Sequence, residues 1–130
     1  MQNSNIFDYI NVLDRAADAS WLRNQAISNN IANATTPGYK RQDVSFEKEL
    51  RRALGNSKYE SMDSKVYNLN PNDINPRVYT DAADYSYRMD GNNVDIDTEN
   101  VYLAENQLYY QGLMSGIDHE FRMMSTAMGK

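Results

Sequence analysis

Cysteine is absent from the 130 residues, which excludes disulfides, zinc thiolate sites and thiol nucleophiles together. Histidine occurs once, as His119 between Asp118 and Glu120. With no second histidine and no Gly-x-Ser-x-Gly context, it reads as a surface residue near the negative end of a helix, not as a catalyst. No apolar run approaches the roughly 20 residues needed to cross a bilayer, so direct membrane insertion is not expected. The opening Met1-Gln2-Asn3-Ser4-Asn5 lacks the basic start and apolar stretch of a cleavable secretory signal. Net positive charge is also missing. The formal charge is -5, which argues against a nucleic-acid binder, because phosphate neutralisation needs a basic surface. The densest basic cluster is Lys40-Arg41, with Arg51-Arg52 nearby, and Lys40-Arg41 reads as a solvated pair. No glycine-rich loop for cradling phosphate appears, and no carboxylate pair stands out for acid-base work.

The apolar residues concentrate at the two ends, with a polar, turn-rich middle between them. From Ile6, apolar or small positions step alternately by four and three through Ile10, Leu13, Ala17, Ser20, Asn24, Ile27 and Ile31, which is a coiled-coil period. Ser4-Asn5 are expected N-caps, with Asp8 in the first turn. The helix is expected to stop at Asn33-Ala34-Thr35-Thr36-Pro37-Gly38-Tyr39, where Pro37 disfavours helix at Thr36 and Pro-Gly suits the centre of a type II turn. A second ladder runs Leu103, Gln107, Tyr110, Met114, Ile117, Phe121, Met124 and Met128. Asp97 or Thr98 is expected as its N-cap, with Glu99 near the positive end. Gly112 and Gly116 have a spacing suited to close helix packing. The residues expected to form the helix interface are Ile10, Leu13, Ile27, Leu108, Leu113, Ile117 and Phe121.

The middle is expected to hold a short helix over 46–54, ended by Gly55-Asn56, and turns at Asn70-Pro71-Asn72-Asp73 and Asn75-Pro76. Alternation at Tyr85, Tyr87 and Met89, then at Val94 and Ile96 after Asp90-Gly91, suggests a small β-hairpin. The expected fold is therefore mainly α: two long terminal helices in an antiparallel coiled coil, 1–36 and 98–130 forming one structural unit, joined by an irregular middle segment, 37–97.

Charge is sparse where a monomeric helix normally needs it. From 101 to 117 the one charged side chain is Glu105, and from 19 to 34 it is Arg23. Helices without a charged face are covered by other subunits or prone to aggregate. A simple helical hairpin with uncharged polar residues facing water is the alternative, serving as a soluble adaptor or a calcium-binding module. The acidic alternation at Asp95, Asp97 and Glu99 prompts the calcium reading, but the EF-hand pattern fails. Counted from Asp95, Asn100 stands where glycine is needed and Asn106 where the bidentate glutamate is needed. Counted from Asp90, Val94 replaces an oxygen ligand. A turn followed by a helix cap explains the same residues, so no metal and no cofactor is expected.

The segment Ser28-Asn29-Asn30-Ile31-Ala32-Asn33-Ala34-Thr35-Thr36-Pro37-Gly38-Tyr39-Lys40-Arg41 resembles the N-terminal signature shared by flagellar rod and hook proteins. The stretch Asp90-Gly91-Asn92-Asn93-Val94-Asp95-Ile96-Asp97-Thr98-Glu99, followed by Leu103-Ala104-Glu105-Asn106-Gln107, resembles the proximal rod members of that family. Between them the family often carries a basic, histidine-containing element, where this chain has Asn70-Pro71-Asn72-Asp73-Ile74. The resemblance implies a structural, non-enzymatic subunit exported through the flagellar type III apparatus and placed in the periplasmic rod of the basal body. It implies terminal helices lining an inner tube, and as partners further copies of the chain, other rod proteins, a rod-to-ring junction protein and the membrane-embedded ring. Asn30, Ile31, Asn33, Thr36, Pro37, Gly38, Tyr39, Asp90, Gly91, Asn92, Asn93, Val94 and Asp95 are the signature residues expected at subunit contacts. From the residues alone, the amides of Asn30 and Asn33 either meet one neighbour or cap the chain locally.

Overall fold

The computed structural model describes residues 2–55, 60–81 and 89–129. Helix α1 spans Gln2–Ala32, strand β1 Gln42–Ser45, α2 Glu47–Leu54 and α3 Met62–Tyr67, followed by a 3-10 turn at Pro71–Ile74. Strand β2 is Arg77–Thr80 and helix α4 is Ile96–Ala127. The two long helices pack antiparallel. Moving back along α1, Asn30 meets Glu99, Ser20 meets Asn106, and Leu13 meets Gly116. The fold class read from the sequence is the one observed.

Local details differ. Helix α1 already runs through Ser4 and Asn5, so they are not its caps, and Asp8 falls beyond its first turn. Helix α4 starts two residues earlier than expected, because Asp95 accepts from the N–H groups of Asp97 and Thr98. The small antiparallel sheet is present, but β1 pairs with β2 in the register Gln42 to Thr80 and Val44 to Val78. Of the segments expected to form a hairpin, Val94 is irregular and Ile96 opens α4, while Tyr85 and Tyr87 lie outside the described residues. The short helix ends as expected at Gly55, whose φ of 75° is left-handed, although Asn56 lies outside the described residues.

The exit from α1 follows the turn chemistry of its sequence. Tyr39 N–H donates to Thr36 carbonyl at 3.3 Å across Pro37 and Gly38, and Gly38 has φ 73°, as the third residue of a type II turn requires.

The core lies between α1 and the middle segment. Ala16, Ala19 and Ala26 present small side chains, so Val44, Phe46 and Ile74 can come close to the α1 backbone, and Leu113 joins from α4. Phe46 and Ile74 are almost completely buried, each contributing about 1.5–3 kcal/mol by burial. Arg23 ties β1 and α2 to α1. Its guanidinium donates to both Glu47 carboxylate oxygens at 2.8 and 2.7 Å and to the Val44 carbonyl at 2.9 Å. The hydrogen bond from Arg23 holds Glu47 below the usual glutamate range.

The seam of α4 is displaced from the apolar ladder. Leu103, Ile117 and Met124 are partly buried as expected, but the fully buried positions are Glu99, Asn106 and Leu113, seven residues apart. Gln107, Met114, Phe121 and Met128 are exposed. Gly116 seats Leu13, whereas nothing lies near Gly112, so the two glycines do not act as a pair.

Candidate functional site

Where α1 ends and α4 begins, the two signature segments meet in one polar joint. Asn30, in the last turns of α1, is completely buried. Its amide nitrogen donates to the Gln42 carbonyl at 2.8 Å and to Glu99 at 3.1 Å. Its amide oxygen accepts from Gln42 N–H at 2.8 Å and from the Tyr39 hydroxyl at 3.1 Å. The side chain thus uses its full hydrogen-bonding capacity and pairs with Gln42 as a neighbouring strand would. Burial and then the charge of Glu99 push the Tyr39 phenol above its ordinary value, which keeps its donor proton in place.

Asn92, also fully buried, closes the end of α1 from outside. Its amide nitrogen faces the carbonyls of Asn33, Ala34 and Thr36 at 2.9, 3.2 and 2.9 Å. These carbonyls belong to the turn that follows Ala32, and this one side chain holds that turn against the loop before α4. Asn93 works on the next strand: it accepts from Arg41 N–H at 2.7 Å and donates to the Asp81 carbonyl at 3.0 Å. The loops also meet directly. Gly38 N–H donates to the Asp90 carbonyl at 2.7 Å, Lys40 donates to the Gly91 carbonyl at 2.6 Å, and Gly91, with φ 80°, packs against Gly38.

Arg41 and Glu99 form the charged centre. Arg41 Nε donates to Glu99 at 2.8 Å, and the guanidinium also meets Asp81 at 3.3 Å and Asp43 at 3.5 Å. It lies 5.4 Å from the centroid of the Tyr102 ring, within cation–π range. Burial works against the Arg41 charge, but the hydrogen bond and charge of Glu99, with Asp43 and Asp81, raise its pKa above the ordinary value. The sequence reading of Lys40-Arg41 as a solvated pair is therefore corrected for both residues.

A second polar contact lies along the helix seam. Ser20 Oγ donates to Asn106 Oδ1 at 3.0 Å, and Asn106 Nδ2 donates back to the Ser20 carbonyl at 2.8 Å. This buried reciprocal pair is satisfied in one helix register, the role best attested for a polar residue in a helical seam.

The expected signature residues are thus brought together, though unequally. Asn30, Asn92, Asn93, Tyr39, Gly38, Asp90 and Gly91 share the joint, and Val94 is buried beside it. Asp95 caps α4. Asn33 turns back on its own helix, donating to the Asn29 carbonyl at 2.8 Å and accepting from Thr36 at 3.2 Å, so the amides of Asn30 and Asn33 do not meet one neighbour. Thr36 and Pro37 are exposed, and Ile31 is partly buried. Of the expected helix-interface residues, Ile27 and Leu113 are buried and Ile10, Leu13 and Ile117 partly so. Leu108 and Phe121 are corrections, because they are 70% and 47% exposed and stand outside the intrachain seam. Arg41, Glu99, Asp81 and Asn106 were missed. The heptad spacing of Glu99, Asn106 and Leu113 was the available signal, hidden because two of the three are polar.

The acidic turn is engaged within the chain: Asp95 caps, Asp90 accepts from Asn92 N–H, and Glu99 pairs with Arg41. Among the described residues, no group of three or more histidine or acidic side chains is placed to hold a metal. No helix among them is long and apolar enough to cross a membrane.

The outer faces of the long helices carry large apolar groups. Val101, Leu108, Phe121 and Met123 are exposed on α4, and Phe7 and Trp21 on α1. Residues 10–40 match the family model described as flagella basal body rod protein. The chain is 33% identical over 116 residues to the flagellar basal body rod protein FlgB of Bacillus subtilis, covering 89% of each chain. It is 35% identical to FlgB of Borrelia hermsii, covering 93% of this chain and 96% of that one. To FlgB of Escherichia coli it is 29% identical, covering 82% of each. With the signature segments joined in one network and this similarity running along nearly its whole length, the chain belongs to the FlgB family of flagellar basal body rod proteins.

Proposed function

We propose that the chain is a structural subunit of the proximal rod of the bacterial flagellar basal body, polymerising through α1 and α4 into part of a drive shaft and export channel. The observation that carries this reading is the outer face of α4, where Val101 and Leu108 are exposed and Glu105 is the one charge from 101 to 117. Such a face costs free energy in water and gains it when another helix covers it. The polar joint serves assembly by fixing the angle at which the helix pair leaves the middle segment. Asn30, Asn92 and the Arg41–Glu99 pair are satisfied within the chain, so subunit contacts fall to the helix faces and exposed loop positions such as Thr36 and Pro37.

On this reading the partners are further copies of the chain, other rod proteins, the rod-to-ring junction protein and the membrane-embedded ring. Delivery is by the flagellar type III apparatus to a periplasmic rod, and no catalytic step is involved. The adaptor or calcium-module reading is not favoured, because the acidic turn is occupied by intrachain bonds. Cryo-electron tomography of basal bodies in a strain lacking the gene tests the proposal. Rods should be missing, should return with the full chain, and should not return with a chain ending before Val101. Normal rods in the deletion strain, with no second gene copy, would overturn the assignment.

A further inference from the structure

Among the described residues, the small sheet has one sealed edge and one open edge. Asp81 N–H donates to the Arg41 carbonyl at 2.8 Å, which makes these two a hydrogen-bonded pair in the antiparallel ladder. By the alternation of such ladders, Asp43 with Tyr79 and Ser45 with Arg77 are hydrogen-bonded pairs, and Gln42 and Val44 turn their backbone groups away from β2. Those groups are all met. Asn30 pairs with both backbone groups of Gln42, Arg23 donates to the Val44 carbonyl, and Asp43 accepts from Val44 N–H.

On β2 the same alternation turns the N–H and C=O groups of Val78 and Thr80 outward. All four residues of β2 are exposed, and no side chain among the described residues bonds to these groups. An uncovered strand edge is a template for a further strand.

The surroundings of this edge are selective. An open groove of about 820 Å³ runs across both strands beside α2; Lys48, Arg51, Arg77, Val78 and Tyr79 line it together with Arg23, β1 and the carboxylates of Asp43, Glu47 and Glu49. Its carboxylates are already engaged: Glu47 and Asp43 with Arg23, and Glu49 with Arg52. Lys48, Arg51 and Arg77 make no ion pair with a described residue. A chain of net charge -5 thus presents, in a groove that β2 helps to line, three cations that no described carboxylate pairs.

We infer that the outer edge of β2 accepts an extended acidic segment of another protein as a third strand, with Lys48, Arg51 and Arg77 receiving its carboxylates. Backbone bonds to Val78 and Thr80 supply register, and the cations supply the preference for acid. The site is separate from the α1 and α4 faces and stands whether or not those faces polymerise.

The test uses the full chain, labelled with nitrogen-15, and the peptide acetyl-Glu-Val-Glu-Thr-Glu-Val-Glu-amide. Binding should shift the amide resonances of Val78 and Thr80 and leave those of Gln42 and Val44 in place. Combining Lys48→Glu with Arg51→Glu should weaken binding about tenfold, as expected for two exposed charge contacts. Both residues are exposed, so the fold should persist, as circular dichroism would verify. Methylating the peptide nitrogens that face β2 should abolish binding without touching the protein. The inference is overturned if a peptide with lysine at every glutamate position binds equally well. Equal binding of the methylated peptide would also overturn it, as would the absence of any shift at about 5 mM acidic peptide.

Discussion

Replacing Arg41 with methionine should destabilise the chain far more than replacing Glu99 with leucine, and the double replacement should cost little more than the second alone. Glu99 is 1% exposed, and its carboxylate has two partners, Arg41 at 2.8 Å and the Asn30 amide at 3.1 Å. Without Arg41, a buried carboxylate keeps one neutral donor and loses its counter-charge, at a cost of about 3–5 kcal/mol. Without Glu99, Arg41 still meets Asp81 and Asp43 and lies over Tyr102. That loss should be about 1–2 kcal/mol. Once the carboxylate is gone, removing the arginine strands no buried charge, so the cycle should show coupling of about 3–4 kcal/mol. A chain of this size is stable by about 5–15 kcal/mol, so Arg41→Met alone should remove a large part of the total. Urea denaturation followed by circular dichroism gives the four values, with an unchanged slope showing that the same transition is compared. Equal costs for the two single replacements, adding to within about 0.5 kcal/mol in the double, would refute this account of the joint.

Asn92→Ala should cost about 2–3 kcal/mol in the same assay, because the turn after α1 loses the amide that donates to its carbonyls and the buried Val94 N–H loses its acceptor. Tyr9 donates to Asp63 at 2.6 Å, and that bond, with burial and the charges of Asp63 and Glu120, pushes its phenol up to about 12. The folded chain therefore keeps a proton that the unfolded chain loses near pH 10. This contribution is complete below that pH and disappears as pH rises towards 12. Burial also raises Tyr39, Tyr79 and Tyr109, so Tyr9→Phe should flatten the alkaline decline in midpoint urea only partly, and an unchanged decline would count against the Tyr9 bond. Leu108→Glu should leave monomer stability within about 0.5 kcal/mol, because the side chain is exposed. It should abolish rod formation in the complementation assay, and a fully motile strain carrying it would show that this face is not an interface.

Both long helices were legible because their ladders repeat over many turns, and the α1 exit was legible because Pro37-Gly38 admits few geometries. Partner choice was not. Strands of four residues, Gln-Asp-Val-Ser and Arg-Val-Tyr-Thr, carry too little alternation to announce that they pair across the middle segment. The α4 seam was misplaced because an apolar ladder cannot register Glu99 and Asn106, whose burial depends on Arg41, Asn30 and Ser20 lying opposite them. Arg41 itself read as solvated because a buried ion pair exists only once two distant segments have met. The signature asparagines stood out by resemblance, but their division of labour, Asn30 on the strand, Asn92 on the helix end and Asn93 across the ladder, comes from three-dimensional placement alone.

Among the described residues, strong polar ties between the two long helices are gathered near one end, where Asn30, Arg41, Asn92 and Glu99 meet, with Ser20 and Asn106 roughly 15 Å further along at 1.5 Å per residue. Further along a pair about 46–48 Å long, the described interhelical contacts are apolar seating such as Leu113 and Leu13 on Gly116. In mechanical terms this is a cantilever: the anchored end resists bending because any tilt must break directional bonds, while the far end can slide and twist at small cost. A neighbour gripping the far ends would meet a compliant surface able to adjust its fit, and a load arriving through the loops would meet a stiff one. A shaft built from such parts would take up misalignment at one end of each subunit and carry torque at the other.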